Sequence, residues 1–103
     1  MAFRYKIEFS PDVKLHMTFI EKKYWLLVKK SISKLLTFEP FVENKNRKPL
    51  KAKIKNGDWE IRFGPKNKFR VIYSLNFDKE SILIIAVGIK IGNKLMIKGQ
   101  EVI

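Results

Sequence analysis

Two arginines, Arg62 and Arg70, have the side chains and spacing best suited to chemistry. Trp59, Ile61 and Phe63 alternate with Glu60, Arg62 and Gly64, and Phe69, Val71, Tyr73 and Leu75 alternate with Arg70, Ile72, Ser74 and Asn76. Such alternation puts one set of side chains on each face of a strand. The intervening Gly64-Pro65-Lys66-Asn67-Lys68 is rich in turn formers and closes a hairpin. With a symmetric loop, Arg62 falls opposite Arg70 on one face. Like charges directly across a strand pair destabilise it, so the two guanidiniums either splay into water or hold an anion.

A phosphodiester is the anion such a pair would suit. Lys90, Lys48, Lys51, Lys53, Lys55, Lys66 and Lys68 lie on the adjoining strands and loops, and cations grouped this way bind phosphates with salt-sensitive, sequence-independent affinity. They also stabilise the extra negative charge of a pentacoordinate phosphorane. RNA carries its own nucleophile, the 2′-hydroxyl, so its cleavage needs in-line positioning, charge stabilisation and proton transfer rather than a metal. Arginine is a poor proton donor because it stays charged; a lysine held among other cations has a lowered pKa and can serve.

The flanking sequence supplies the frame for these residues. Phe3, Tyr5, Ile7 and Phe9 alternate with Arg4, Lys6 and Glu8 as an amphipathic strand. Ser10-Pro11-Asp12 then starts a short helix running to about residue 19 or 20, with Val13, Met17 and Ile20 as its apolar stripe. A longer helix is expected from about Glu21 to Phe38, stopped by the Glu39-Pro40 step, with Tyr24, Leu27, Val28, Ile32 and Leu35 as its buried stripe. Residues 41–58 show little periodicity and much charge and read as a long loop with a turn at Asn56-Gly57, pinned by Leu50 and Ile54. Ser81 to Ile89 is apolar almost throughout and belongs in the middle of the sheet, covered on both faces. Gly92-Asn93 turns into a short last strand over Leu95-Met96-Ile97, and 101–103 form a tail. Residues 1–103 thus read as one α+β domain, with two N-terminal helices packed on one face of an antiparallel sheet of about four to five strands.

Composition narrows the function. The formal net charge is +12, with 22 Lys and Arg against 10 Asp and Glu, which points to a polyanionic partner. Aromatic and aliphatic residues are too plentiful for a disordered basic tail. The chain has no cysteine and a single histidine, which argues against a disulfide scaffold and against a thiolate or histidine metal site. His16 reads as a structural histidine within the first helix. No glycine loop for phosphates, zinc signature or serine nucleophile elbow occurs. The N-terminus lacks the pattern of a signal peptide, and no apolar run reaches the length of a membrane span. A cytoplasmic protein without metal or cofactor is the expectation.

Three stretches resemble the RelE/ParE family of small toxins from type II toxin–antitoxin pairs. Phe38-Glu39-Pro40 with Asn46-Arg47-Lys48-Pro49-Leu50 is similar to the segment leaving the family's long helix. Trp59-Glu60-Ile61-Arg62 with Phe69-Arg70-Val71-Ile72-Tyr73 resembles its central hairpin, and Ile84-Ile85-Ala86-Val87-Gly88 with Gly92-Asn93-Lys94-Leu95 its last strands. The likeness covers nearly the whole chain in the same order. It implies a RelE-like toxin fold and a toxin neutralised by a co-expressed acidic antitoxin. It further implies one of two targets: mRNA in the ribosomal A site, cut without a metal, or DNA gyrase, bound without catalysis. By position it matches Arg70 and Arg62 to basic strand residues of the nucleases and Lys90 to a basic residue after the last core strand. Two positions depart from the nucleases. Met96 stands nearest to a C-terminal tyrosine or histidine that transfers a proton, and Glu60 replaces a lysine. Glu60 reads first as a strand salt bridge with its arginine neighbours.

Overall fold

A computed structural model describes residues 4–102; Phe3 and Ile103 of the expected first strand and tail lie outside them. Strand β1 (Lys6–Phe9) leads into helix α1 (Val13–Met17), a 3-10 turn at Lys22–Tyr24 and helix α2 (Trp25–Leu36). Strands β2 (Arg47–Ile54), β3 (Gly57–Phe63), β4 (Phe69–Asn76), β5 (Ser81–Ile91), β6 (Lys94–Ile97) and β7 (Gln100–Glu101) follow. They form one sheet in the order β2-β3-β4-β5-β6-β7, every step antiparallel, while β1 pairs parallel to the first half of β5.

The α+β class stands, with corrections to the sequence reading. Only α2 is a substantial helix; α1 covers five residues. It stops at Met17 because the Thr18 hydroxyl donates to Leu15 O (2.6 Å), competing for a carbonyl the helix would use. The sheet has seven strands rather than four or five. The middle of the expected 41–58 loop is the strand β2, a lysine-rich edge whose Pro49 sits where a missing N–H is tolerated. The tail contributes β7, and the first strand pairs parallel rather than antiparallel.

The core has two parts, one on each face of the sheet. Val13, Met17 and Ile20 from α1 and its exit, and Val28, Ile32 and Leu36 from α2, pack with Ile61, Phe69, Val71, Tyr73, Ile82, Ile84 and Val87. Leu27, expected in that stripe, is 38% exposed instead. The smaller cluster, Ile54, Ile72, Ala86, Leu95 and Ile97, lies on the opposite face. Its members come from β2 on one side of the β3–β4–β5 centre and β6 on the other, so the sheet curls over that face.

Burial of β5 on both faces has a geometric origin. Ile72 pairs with Ala86 but Tyr73 pairs with Ile84, leaving Ile85 as an extra residue. Such a bulge shifts the alternation and leaves ladder groups unpaired. On the other edge of β5, between the end of the β1 pairing at Ile84 and the start of the β6 pairing at Ile89, the Val87 N–H has no strand partner and donates to His16 Nδ1 at 3.4 Å. His16 is 4% exposed, and burial above all, then Lys55 and Lys98 against an opposing effect of Asp12, lowers its pKa from the usual 6.5.

A depressed folded-state pKa means the stabilisation is complete above the unfolded value and is lost as pH falls below about 6.5, where only the unfolded chain readily takes the proton. His16→Leu leaves the Val87 N–H unpaired and is expected to cost about 1–3 kcal/mol at neutral pH. Urea denaturation across pH should show the gap between wild type and variant narrowing on the acid side; a constant gap would mean His16 does not titrate with folding.

Candidate functional site

Strands β3 and β4 place the arginines. Their register pairs Glu60 with Ile72, Ile61 with Val71 and Arg62 with Arg70. Ile61 and Val71 face the helices, so Glu60, Arg62 and Arg70 share the other face, beside the smaller apolar cluster. The like charges are reconciled by Glu60. Its Oε1 accepts from Arg62 Nε at 2.9 Å and lies 3.5 Å from Arg70 Nη1. Arg70 Nε donates to Asn67 O at 3.1 Å in the turn. Glu60 and Arg70 are 7% and 8% exposed, whereas the Arg62 side chain is 37% exposed. Burial, followed by the neighbouring Arg62, lowers the Arg70 pKa against the opposing pull of Glu60, and the guanidinium stays charged. Two guanidiniums sharing one carboxylate leave an excess positive charge aimed at solvent through Arg62.

The lysines divide by position. Lys48 pairs with Glu60 across β2–β3 and so stands at the flank of the triad. Lys66 and Lys68 lie in the β3–β4 turn, but Lys68 Nζ sits over the Tyr24 ring, 4.3 Å from its centroid, on the helix side. Lys90 is two residues beyond Gly88, the partner of Arg70, which puts it on the arginine face; its N–H donates to Lys68 O at 2.7 Å. Lys51 and Lys53 are exposed on β2 and not on a loop as expected. Lys55 has positive φ in the β2–β3 turn, roughly 20 Å along β3 from Arg62. The structure does not bring it to the arginines.

No proton-transfer group from the C-terminal segment faces the triad. Met96 pairs with Ile89 and lines a pocket with His16, Phe19 and Ile20 on the helix side, while Leu95, the partner of Lys90, is buried in the smaller cluster. Tyr73 is engaged elsewhere: its hydroxyl donates to Pro40 O at 2.7 Å, and burial raises its pKa. Among the described residues no group of three His, Cys, Asp or Glu is placed to hold a metal ion, and no helix is long and apolar enough to cross a membrane.

Arg47 carries a role the sequence did not suggest. It is 7% exposed, donating Nη2 to Leu35 O (2.6 Å) and Nη1 to Val42 O (3.0 Å), so it ties the end of α2 to the start of β2. Its neighbours Asn44 and Asn46 and the turn residue Asn67 line a pocket of about 340 Å³ with Arg47, Arg62 and the helix-side residues Leu35, Ile61 and Phe63. The only hint in the sequence was the density of asparagine around the two turns.

The architecture has a known counterpart. One chain of the toxin–antitoxin complex RelBE2 from Mycobacterium tuberculosis superposes with a TM-score of 0.70 over 85% of this chain and 93% of that one. The fold is shared. Identity between the two is 18%, so the likeness is one of architecture. No family model matches the sequence, and no curated protein matches it.

Because Glu60 holds two guanidiniums together, Glu60→Gln should destabilise the protein by about 1.5–3 kcal/mol, the range for hydrogen bonds to charged groups. The loss should shrink in high salt, since Arg62 is partly exposed and screened. Urea midpoints at low and high salt measure both; an unchanged midpoint would mean the shared carboxylate holds nothing.

Proposed function

We propose that this chain is the toxin of a type II toxin–antitoxin pair and that it stops translation by cleaving mRNA on the ribosome without a metal. The observation that carries the reading is the Arg62–Glu60–Arg70 triad, an anion-seeking pair on the sheet face away from the helices, in a fold shared with a chain of a toxin–antitoxin complex. A formal charge of +12 supports a polyanionic target.

In this mechanism the 2′-hydroxyl gives its proton to solvent water, its oxygen attacks the adjacent phosphorus, the P–O5′ bond breaks, and a 2′,3′-cyclic phosphate and a 5′-hydroxyl result. Arg62 and Arg70 stabilise the charge that builds on the non-bridging oxygens. Lys48 and Lys66 hold the flanking phosphates. Lys90, on the arginine face, binds RNA or gives the 5′-oxygen its proton. An acidic antitoxin segment would neutralise the toxin by covering this basic face, folding as it binds.

A second reading has its own support. The sole histidine is buried against Val87, and Met96 points to the helix side, so the triad lacks a histidine or tyrosine for proton transfer. A non-catalytic toxin that binds DNA gyrase would use the arginines for docking alone.

Brief induction followed by mapping of mRNA 5′ ends distinguishes the two. New ends within translated frames are expected, with Arg70→Ala and Arg62→Ala each lowering cleavage by about 10²–10³, the cost of removing one charge-stabilising donor. Arg62 is the more exposed of the two, so its variant tests the site even if Arg70→Ala misfolds. Growth arrest with unchanged mRNA ends would favour gyrase.

A further inference from the structure

Around the tip of the β3–β4 hairpin from the arginine pair, on the helix side, three ammonium groups sit on aromatic rings. Lys68 Nζ is 4.3 Å and Lys23 Nζ 5.1 Å from the centroid of the Tyr24 ring, and Lys22 Nζ is 5.6 Å from that of Trp25. A ring attracts a cation through its quadrupole and leaves the charge uncancelled. Among the described residues Glu21 is the one carboxylate within ion-pair reach of the three, 3.7 Å from Lys23 Nζ, and both of those side chains are mostly exposed, so the pair neutralises little. Two cations over one ring repel each other. At the triad Glu60 resolves the same repulsion from within; at Tyr24 an anion from outside would have to.

The rings are fixed in place. Tyr24 packs on Phe69 with 5.1 Å between centroids, and Trp25 Nε1 donates to Ile20 O at 2.8 Å. Rings packed and capped in this way position cations rather than stack bases, so the cluster reads charge along a backbone. It is also joined to the arginine face. Lys68 stands two residues from Arg70, roughly 7 Å of extended chain, and its carbonyl accepts the Lys90 N–H at 2.7 Å. Lys66, exposed at the hairpin tip, lies between the two sides. An acidic peptide could satisfy the same charges, but the cations run from the arginine pair over Lys66 to the cluster, and that continuity favours the strand whose phosphate the arginines hold.

We propose that the RNA strand lying on Arg62 and Arg70 runs on over the hairpin tip and that Lys68, Lys23 and Lys22 clamp its backbone on the helix side. The proposal rests on the RNA-cleaving reading and adds to it a second phosphate site, which sets the length of RNA gripped.

The test uses purified full-length protein and two uncleavable 2′-O-methyl oligouridines, a trimer that covers the arginine pair alone and a nonamer long enough to pass the tip. Fluorescence anisotropy measures affinity across a salt series. Each phosphate contact on a single strand steepens the slope of log affinity against log salt by about 0.7. Combining Lys22→Gln, Lys23→Gln and Lys68→Gln should flatten the nonamer slope by about 2 and leave the trimer unchanged. Lys68 is half-buried while Lys22 and Lys23 are exposed. If the triple variant does not melt like wild type, Lys22→Gln with Lys23→Gln should still flatten the slope by about 1.4. A charge-matched variant at the other end of the sheet, Lys6→Gln, Lys34→Gln and Lys79→Gln, should leave both slopes as they are. An unchanged nonamer slope, or an equal change in the charge-matched variant, overturns the proposal; a trimer still weakened by Arg62→Ala would then leave the RNA-cleaving reading in place. Polyglutamate that binds as tightly as the nonamer and is lost equally in the triple variant also overturns it and assigns the cluster to an acidic peptide. Failure of wild type to bind either RNA at low salt removes the RNA-cleaving reading itself, and the proposal with it.

Discussion

A single carboxylate oxygen shared by two guanidiniums is the contact on which the rest depends. Without Glu60 Oε1, the β3–β4 register would set Arg62 and Arg70 against each other at the sheet's centre. With it, the register is held and one positive charge remains in excess. The same register places Ile61 and Val71 against the helices. A slip of one residue would turn the guanidiniums into the larger core and the aliphatic side chains to solvent. Fold and site therefore select the same alignment.

The sheet's irregularities serve that alignment. The bulge at Ile85 lets β5 bury Ile84 on one face and Ala86 on the other, and His16 satisfies the Val87 N–H on the edge of β5 left open between β1 and β6. Beyond the bulge, Gly88 lies opposite Arg70. A Cβ there would stand 2.6 Å from Met96 O and 2.9 Å from Ile97 Cγ1, so the bare backbone lets β6 close against β5 at the edge of the arginine face. On the other side, Arg47 fixes the end of α2 to β2 and positions the asparagines that border Arg62.

The central hairpin was legible because half-buried strands alternate with period two, and the run from Trp59 to Leu75 does so on both sides of a turn-rich loop. The facing arginines and the Glu60 salt bridge followed from that pattern. β2 was not legible, because an edge strand needs little apolar surface: Lys48, Lys51 and Lys53 look like loop residues by composition although the backbone is paired. Arg47 was hidden for a related reason, as nothing in its neighbours marks one cation of a basic run as buried. The bulge in β5 was invisible since an unbroken apolar run carries no phase, and the asparagine pocket assembles from segments about twenty residues apart that only the fold brings together.

The central claim is that the arginine pair stabilises charge while the RNA's own 2′-oxygen breaks the chain. The most direct measurement is cleavage of mRNA on programmed ribosomes by the purified protein, comparing an all-ribose message with one carrying a single 2′-deoxynucleotide at the mapped cut. The account predicts that the deoxy position is spared while other cuts persist, and that the ribose product ends in a 2′,3′-cyclic phosphate. Cutting at the deoxy position, or a 5′-phosphate on the downstream fragment, would show that water rather than the 2′-oxygen attacks, and would contradict it.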